Sequence, residues 1–163
     1  SPEFIAEMYQ LGFKDLDIDD LVELSNHGIE PEFIKALHDF GFKDLDIDEV
    51  VELGIHNVTP RYLSEMKEAG LKDIDVEEFV ELRIHNVTPR FVREIRELGF
   101  DKLDVDELVE MNIHHVTPRF IREMRSKFGD QLTLEQLIDM RIHGIDEDML
   151  EDLRSAGIRV SKK

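Results

Sequence analysis

Apolar residues in this chain recur in short clusters with helical spacing. Between Thr88 and Gly99, the residues Phe91, Val92, Ile95 and Leu98 step by one, three and three. That spacing places them on one side of a 3.6-residue helix. Arg90 and Arg93 project near the centre of the opposite side, and Arg96 at its flank. Thr88 directly precedes Pro89, which suits a helix start, because Pro lacks only an N–H that has no intrahelical partner there. Gly99 marks the end. A second cluster, Val105, Leu108, Val109, Met111 and Ile113, spreads over a little more than half of the next helix, and all five are expected to be buried. The two helices form a hairpin.

The hairpin repeats. Ser1, Glu30, Thr59, Thr88, Thr117 and Asp146 fall at one equivalent position, a constant step of 29 residues, and the first five precede Pro2, Pro31, Pro60, Pro89 and Pro118. Because Glu30–Phe33 repeats three of its residues, the opening Ser1–Phe4 reads as repeat sequence too. The second helices carry capping-box starts, strict in Thr133 with Gln136 and looser in Asp17 with Asp20, Asp46 with Glu49, Asp75 with Glu78 and Asp104 with Glu107. Gly28, Asn57, Asn86, His115 and Gly144 stand where a left-handed helix end is expected, since Gly and Asn tolerate it.

The pattern predicts an all-α chain of tandem helical-hairpin repeats stacked as a short α-solenoid. Residues 1–163 form one array, with units 1–29, 30–58, 59–87, 88–116 and 117–145 and a partial C-terminal cap at 146–163 that ends in polar Ser161, Lys162 and Lys163. The second helices should form the more enclosed layer. Phe128-Gly129 reverses the usual Gly-Phe order, so a locally altered turn is expected in the fifth unit.

Composition then narrows the function. A net charge of −18 over 163 residues repels nucleic acid and anionic lipid, so either would need a local basic patch. The absence of Cys removes disulfides, thiolate metal sites and Cys nucleophiles, and leaves cytoplasm and periplasm equally open. No apolar run approaches the roughly 20 residues of a membrane span, so no membrane insertion is expected.

The string Leu82-Arg83-Ile84-His85-Asn86-Val87-Thr88-Pro89-Arg90-Phe91-Val92 resembles bacterial helical-hairpin repeats of the kind found beside beta-lactam-sensor-type membrane metallopeptidases. The resemblance extends over the whole repeat array. It implies a bacterial origin, an extracytoplasmic position and protein interaction within sensing or regulation. It implies none of the peptidase chemistry, because the chain has no His-Glu-x-x-His motif.

His27, His56, His85, His114 and His143 align near the unit ends. Equivalent helices of stacked units lie roughly 8–10 Å apart, whereas metal ligands converge to about 2 Å from one ion. These His are therefore read as structural, supporting the last turn of each second helix, and no metal or cofactor is expected. Asp15, Asp17 and Asp19, echoed by Asp44, Asp46 and Asp48, open like a calcium loop, but Asp20 and Glu49 occupy the place of its Gly, and Asn26 and Ile55 that of its bidentate Glu. No nucleophile–base pairing or phosphate loop appears, so no enzymatic activity is expected.

Charge supplies the functional asymmetry. Residues 1–58 carry 15 acidic and 3 basic side chains, whereas residues 59–145 carry 18 and 13. The added cations form a ridge on the first helices: Arg61, Arg90, Arg93, Arg96, Arg119, Arg122 and Arg125. Pairing of Arg90 with Glu94 and of Arg93 with Glu97 would make it a solvated face; otherwise it is a binding surface. The chain therefore reads as a non-catalytic scaffold for a protein or peptide partner, with nucleic-acid or polyanion binding through the Arg ridge as the alternative. Self-association is expected at a first unit that lacks an N-terminal neighbour.

Overall fold

The computed structural model describes residues 1–160, which contain eleven α-helices and no strand. The polar end expected at Ser161, Lys162 and Lys163 lies outside the described residues. The first helices of the units are α1 (Pro2–Gln10), α3 (Pro31–Phe40), α5 (Pro60–Glu68), α7 (Pro89–Glu97) and α9 (Pro118–Phe128), followed by α11 (Glu147–Ser155). The second helices are α2 (Ile18–Asn26), α4 (Ile47–Ile55), α6 (Val76–Ile84), α8 (Val105–Ile113) and α10 (Leu134–His143). Starts in each series recur every 29 residues. Like packs on like: α1, α3, α5, α7 and α9 form one layer in chain order, and α2, α4, α6, α8 and α10 the other.

Side-chain caps set the helix starts. The hydroxyls of Ser1, Thr59, Thr88 and Thr117 and the carboxylate of Asp146 each accept the backbone N–H three residues on, whereas Glu30 makes no such bond. The looser Asp pairs close full reciprocal boxes at Asp17–Asp20, Asp46–Glu49 and Asp75–Glu78, as Thr133–Gln136 does. At Asp104 only half of the box forms: Glu107 N–H donates to Asp104 Oδ1 at 2.7 Å, and no return bond reaches the Asp104 N–H.

The helix ends follow the expected geometry through the fourth unit. Gly28, Asn57, Asn86 and His115 have φ of 63°, 58°, 54° and 57°. This left-handed residue turns the chain so that Val58 N–H reaches Leu53 O and Val87 N–H reaches Leu82 O, each satisfying a carbonyl left free by the helix end. His27, His56, His85 and His114 sit one residue past the helix rather than in its last turn. Their backbone N–H groups, not their imidazoles, take up the helical carbonyls. His143 ends α10 itself. The turn of the fifth unit is altered: α9 runs 11 residues to Phe128, against nine in α5 and α7, and Gly129 closes it at φ 92°, ψ 174°.

The core lies between the layers and between successive units. Leu24, Leu53, Leu82 and Met111, at one equivalent position, are all 0% exposed, and Phe79 stands among Phe40, Phe42 and Tyr62 with ring centroids 5.0–6.3 Å away. From the third unit on the second helices are the more enclosed, with four buried residues each in α6, α8 and α10 against three in α5 and two each in α7 and α9; in the first two units the two layers are equal. Ile113 departs from expectation. It is 48% exposed, as Ile55, Ile84 and Ile142 are at 55%, 52% and 44%. Met111 and Ile113 are two residues apart and point about 200° away from each other, so burying the first turns the second outward.

The first unit shows what a neighbour contributes. Ile5 and Val22 are 48% and 51% exposed, whereas Ile34, Leu63, Val51 and Val80 at the matching positions of units two and three are almost wholly buried; Ile18, 77% exposed, corresponds to the half-buried Ile47 and the buried Val76. Full burial of such a side chain contributes roughly 1.5–3 kcal/mol. Native-state amide exchange is therefore expected to be fastest in residues 1–29, rising in protection through α6 and α8. Equal protection of α2 and α8 would contradict this account.

Candidate functional site

Two solvent faces remain once the core is formed, one on each layer, and they differ in charge and in how that charge is used. On the first-helix layer, α5, α7 and α9 hold nine basic and five acidic side chains. The expected Arg ridge divides into three kinds of residue. Arg61 and Arg90 pair with Glu65 and Glu94 at 2.8 and 2.9 Å, one helical turn on, although both guanidiniums remain over 80% exposed. Arg93, Arg119 and Arg122 are exposed and make no ion pair within 4.0 Å among the described residues; the expected Arg93–Glu97 pair does not form.

Arg96 and Arg125 leave the ridge. Arg96 Nη1 donates to Ala69 O at 2.7 Å and Arg125 Nη1 to Leu98 O at 2.7 Å, each bonding the end of the first helix in the preceding unit. Arg125 also lies over the Phe100 ring, 4.8 Å from its centroid. The reason is positional: both occupy the flank that faces the preceding unit, where free carbonyls at a helix C-terminus attract a cation.

The second helices make matching bonds. Asn112 Nδ2 donates to His85 O and Asn86 O at 2.9 and 3.0 Å, and Arg141 Nε to His115 O at 3.0 Å while stacking on Phe120. Sequence reasoning missed these two residues. Their signal was an offset of 26 or 27 residues to the preceding unit's turn, visible only once the stacking is known.

The second-helix layer presents a different face. Asp48, Glu52 and Ile55 in α4 are spaced by four and three residues and so share one side of the helix. Glu77, Glu81 and Ile84 repeat the triplet in α6, Asp106, Glu110 and Ile113 in α8, and Glu135, Asp139 and Ile142 in α10. The five second helices together hold 14 acidic and two basic side chains. Among the described residues, none of these eight triplet carboxylates lies within 4.0 Å of a Lys or Arg nitrogen; Glu81 faces the His85 imidazole at 3.3 Å. The first-helix layer thus neutralises much of its own charge, and the second-helix layer does not.

Between α8 and α10 this face opens into a groove of about 960 Å³, with Ile138 and Ile142 in its wall and Glu107, Glu110, Glu135 and Asp139 around it. The crowding shows in Glu107. Burial, first, then the facing Asp104 carboxylate, and then the charges of Glu110 and Glu135 push its carboxyl up to about 7. Burial also raises the Glu78 carboxyl, partly opposed by the Asp75 N–H, with the charges of Asp75 and Asp106 adding repulsion.

The five aligned His do not converge. His85 is the one of them whose imidazole lies within 4.0 Å of a carboxylate among the described residues, 3.3 Å from Glu81. Asp17 and Asp46, from the calcium-like string, are N-caps whose oxygens accept Asp20 and Glu49 N–H at 2.9 and 2.8 Å. No protein-family model, curated protein or solved structure matches the chain.

Two substitutions test these assignments. A Cβ added at Gly70 meets the Arg96 guanidinium, whereas one at Gly99, with nearly the same positive φ, meets nothing within 4 Å. Gly70→Ala should therefore destabilise more than Gly99→Ala, by roughly 1.5 kcal/mol, the worth of a charged hydrogen bond. The gap should close in an Arg96→Ala background, and a gap that persists there would refute the Arg96–Ala69 bond as its cause. The second concerns Glu107. Between the ordinary 4.5 and about 7 the folded chain keeps a proton that the unfolded chain releases, so stability falls as pH rises through that window. Glu107→Gln should accordingly raise the urea midpoint at about pH 8, with the gain fading below about pH 5. An equal gain at both pH values would point to packing rather than ionisation.

Proposed function

We propose that the chain is a non-catalytic repeat scaffold that binds a protein or peptide along its stacked helices. The supporting observation is the row of half-exposed Ile55, Ile84, Ile113 and Ile142, one per unit, on a face that no part of the described chain covers. An apolar row of this length, held on rigid helices and rimmed by charge, is the kind of surface that interaction partners cover. The resemblance of Leu82–Val92 to bacterial helical-hairpin repeats adds a role in sensing or regulation to this proposal.

Polyanion binding is the second reading, and Arg93, Arg119 and Arg122, exposed and unpaired among the described residues, favour it. Against it stands the small excess of nine cations over five anions on α5, α7 and α9 within a chain of net charge −18.

A random peptide library displayed against the intact chain separates the two. Enrichment of a sequence consensus whose synthetic peptide binds at micromolar concentration is the expected outcome, and failure to enrich any consensus would overturn the scaffold reading. In parallel, heparin and DNA titrations at about 0.15 M salt should show no binding. Salt-sensitive binding that disappears when Arg90, Arg93, Arg119 and Arg122 are all replaced by Ala would transfer the function to the ridge.

A further inference from the structure

Resting on the scaffold reading, we infer that the second-helix face docks one kind of partner: a cationic amphipathic segment whose apolar side chains follow the Ile row and whose Lys or Arg side chains meet the flanking carboxylates. Three independent features converge on it.

The first is apolar surface without a cover. Ile113 and Ile142 are 48% and 44% exposed, and Ile142 lines the groove between α8 and α10 together with Ile138. The second is unpaired charge: Lys102 also lines the groove but forms no ion pair within 4.0 Å among the described residues. Glu110, Glu135 and Asp139 stand at this groove, and no Lys or Arg nitrogen lies within 4.0 Å of them among the described residues. Glu65, Glu94 and Glu123 of the other layer, by contrast, are each paired with a cation. A partner cation would remove repulsion that the chain itself leaves standing, repulsion strong enough to help hold a proton on Glu107.

The third feature is spacing. The Ile row advances by one helix per unit, and packed helices lie roughly 8–10 Å apart. An α-helix rises about 10 Å in seven residues, so a helix laid along the row brings the same face to each rung once per heptad. Four rungs correspond to a partner of about 20 residues. Electrostatic attraction would speed its capture, and the Ile contacts would set its register.

The probe is a synthetic peptide of about 20 residues with Leu once per heptad and Lys on either side of it, compared with a scrambled peptide of the same composition. The binding constant is read by fluorescence anisotropy at about 0.15 M salt. The ordered peptide should bind at least about tenfold more tightly than the scrambled one. Ile113→Ser combined with Ile142→Ser should weaken it about tenfold. Both side chains already face solvent, and an unchanged thermal melt confirms the fold. A second variant, Glu110→Gln with Asp139→Asn, should weaken binding and flatten its salt dependence.

Equal binding of ordered and scrambled peptides, or full binding by the Ser variant, overturns the inference and leaves only general attraction to an acidic protein. The peptide-library result keeps the two levels apart. A consensus that lacks cations, or that still binds the Ser variant, sinks this inference while the scaffold reading stands, and the absence of any consensus sinks the scaffold reading itself.

Discussion

Most helices of this chain are nine or ten residues long, shorter than the roughly 12–15 residues at which isolated helices become even marginally stable in water. Their persistence therefore depends on coverage by the equivalent helix of the next unit. α2 has one equivalent neighbour, α4, and the difference falls on one side of it: Leu24 is as enclosed as Leu53, Leu82 and Met111, but Val22, which corresponds to the enclosed Val51 and Val80, is 51% exposed. The caps serve this requirement. A side-chain oxygen at every start but that of α3 and a left-handed residue at most ends fix the helix length, so successive apolar sides meet in the same register.

The same dependence decides what a reader of the sequence can recover. Cap residues and left-handed positions act locally, so Thr88, Asp46 and Asn86 reveal their roles without knowledge of the stacking. Ile113 does not. Its apolar character suggests burial, and only the placement of α6 and α10 beside α8 shows that the Asp106–Glu110–Ile113 side has no neighbour. Arg96 and Arg125 were legible as cations on a helix flank but not as donors to Ala69 and Leu98, since those carbonyls lie 27 residues upstream. The acidic row was also available in the repeat: a carboxylate, another four residues on and Ile three beyond that share one side of any helix. Reading charge along the chain rather than across the two layers hid it.

Across the layers, the charge has a simple division. In α5 and α7 Arg and Glu at four-residue spacing close local pairs, which leaves a surface of mixed sign. The second helices need acidic residues near their starts for capping and for the positive end of the helix dipole. Glu52, Glu81 and Glu110, farther along the helix, have no such need. Their recurrence beside an exposed Ile is what makes the second-helix face distinct from an ordinary solvated one.

The polar bonds between units are distributed unevenly. Among the described residues, Arg96 and Asn112 tie the fourth unit to the third, and Arg125 and Arg141 tie the fifth to the fourth, but no side-chain hydrogen bond joins the first three units to one another. Those earlier joints rest on apolar contact alone, including the Phe40, Phe42 and Phe79 rings. The hydrophobic attraction that holds such contacts is non-directional, whereas a hydrogen bond fixes its donor relative to its acceptor. Directional bonds thus set the stacking geometry over the second half of the array, where the α8–α10 groove lies, and non-directional packing sets it over the first.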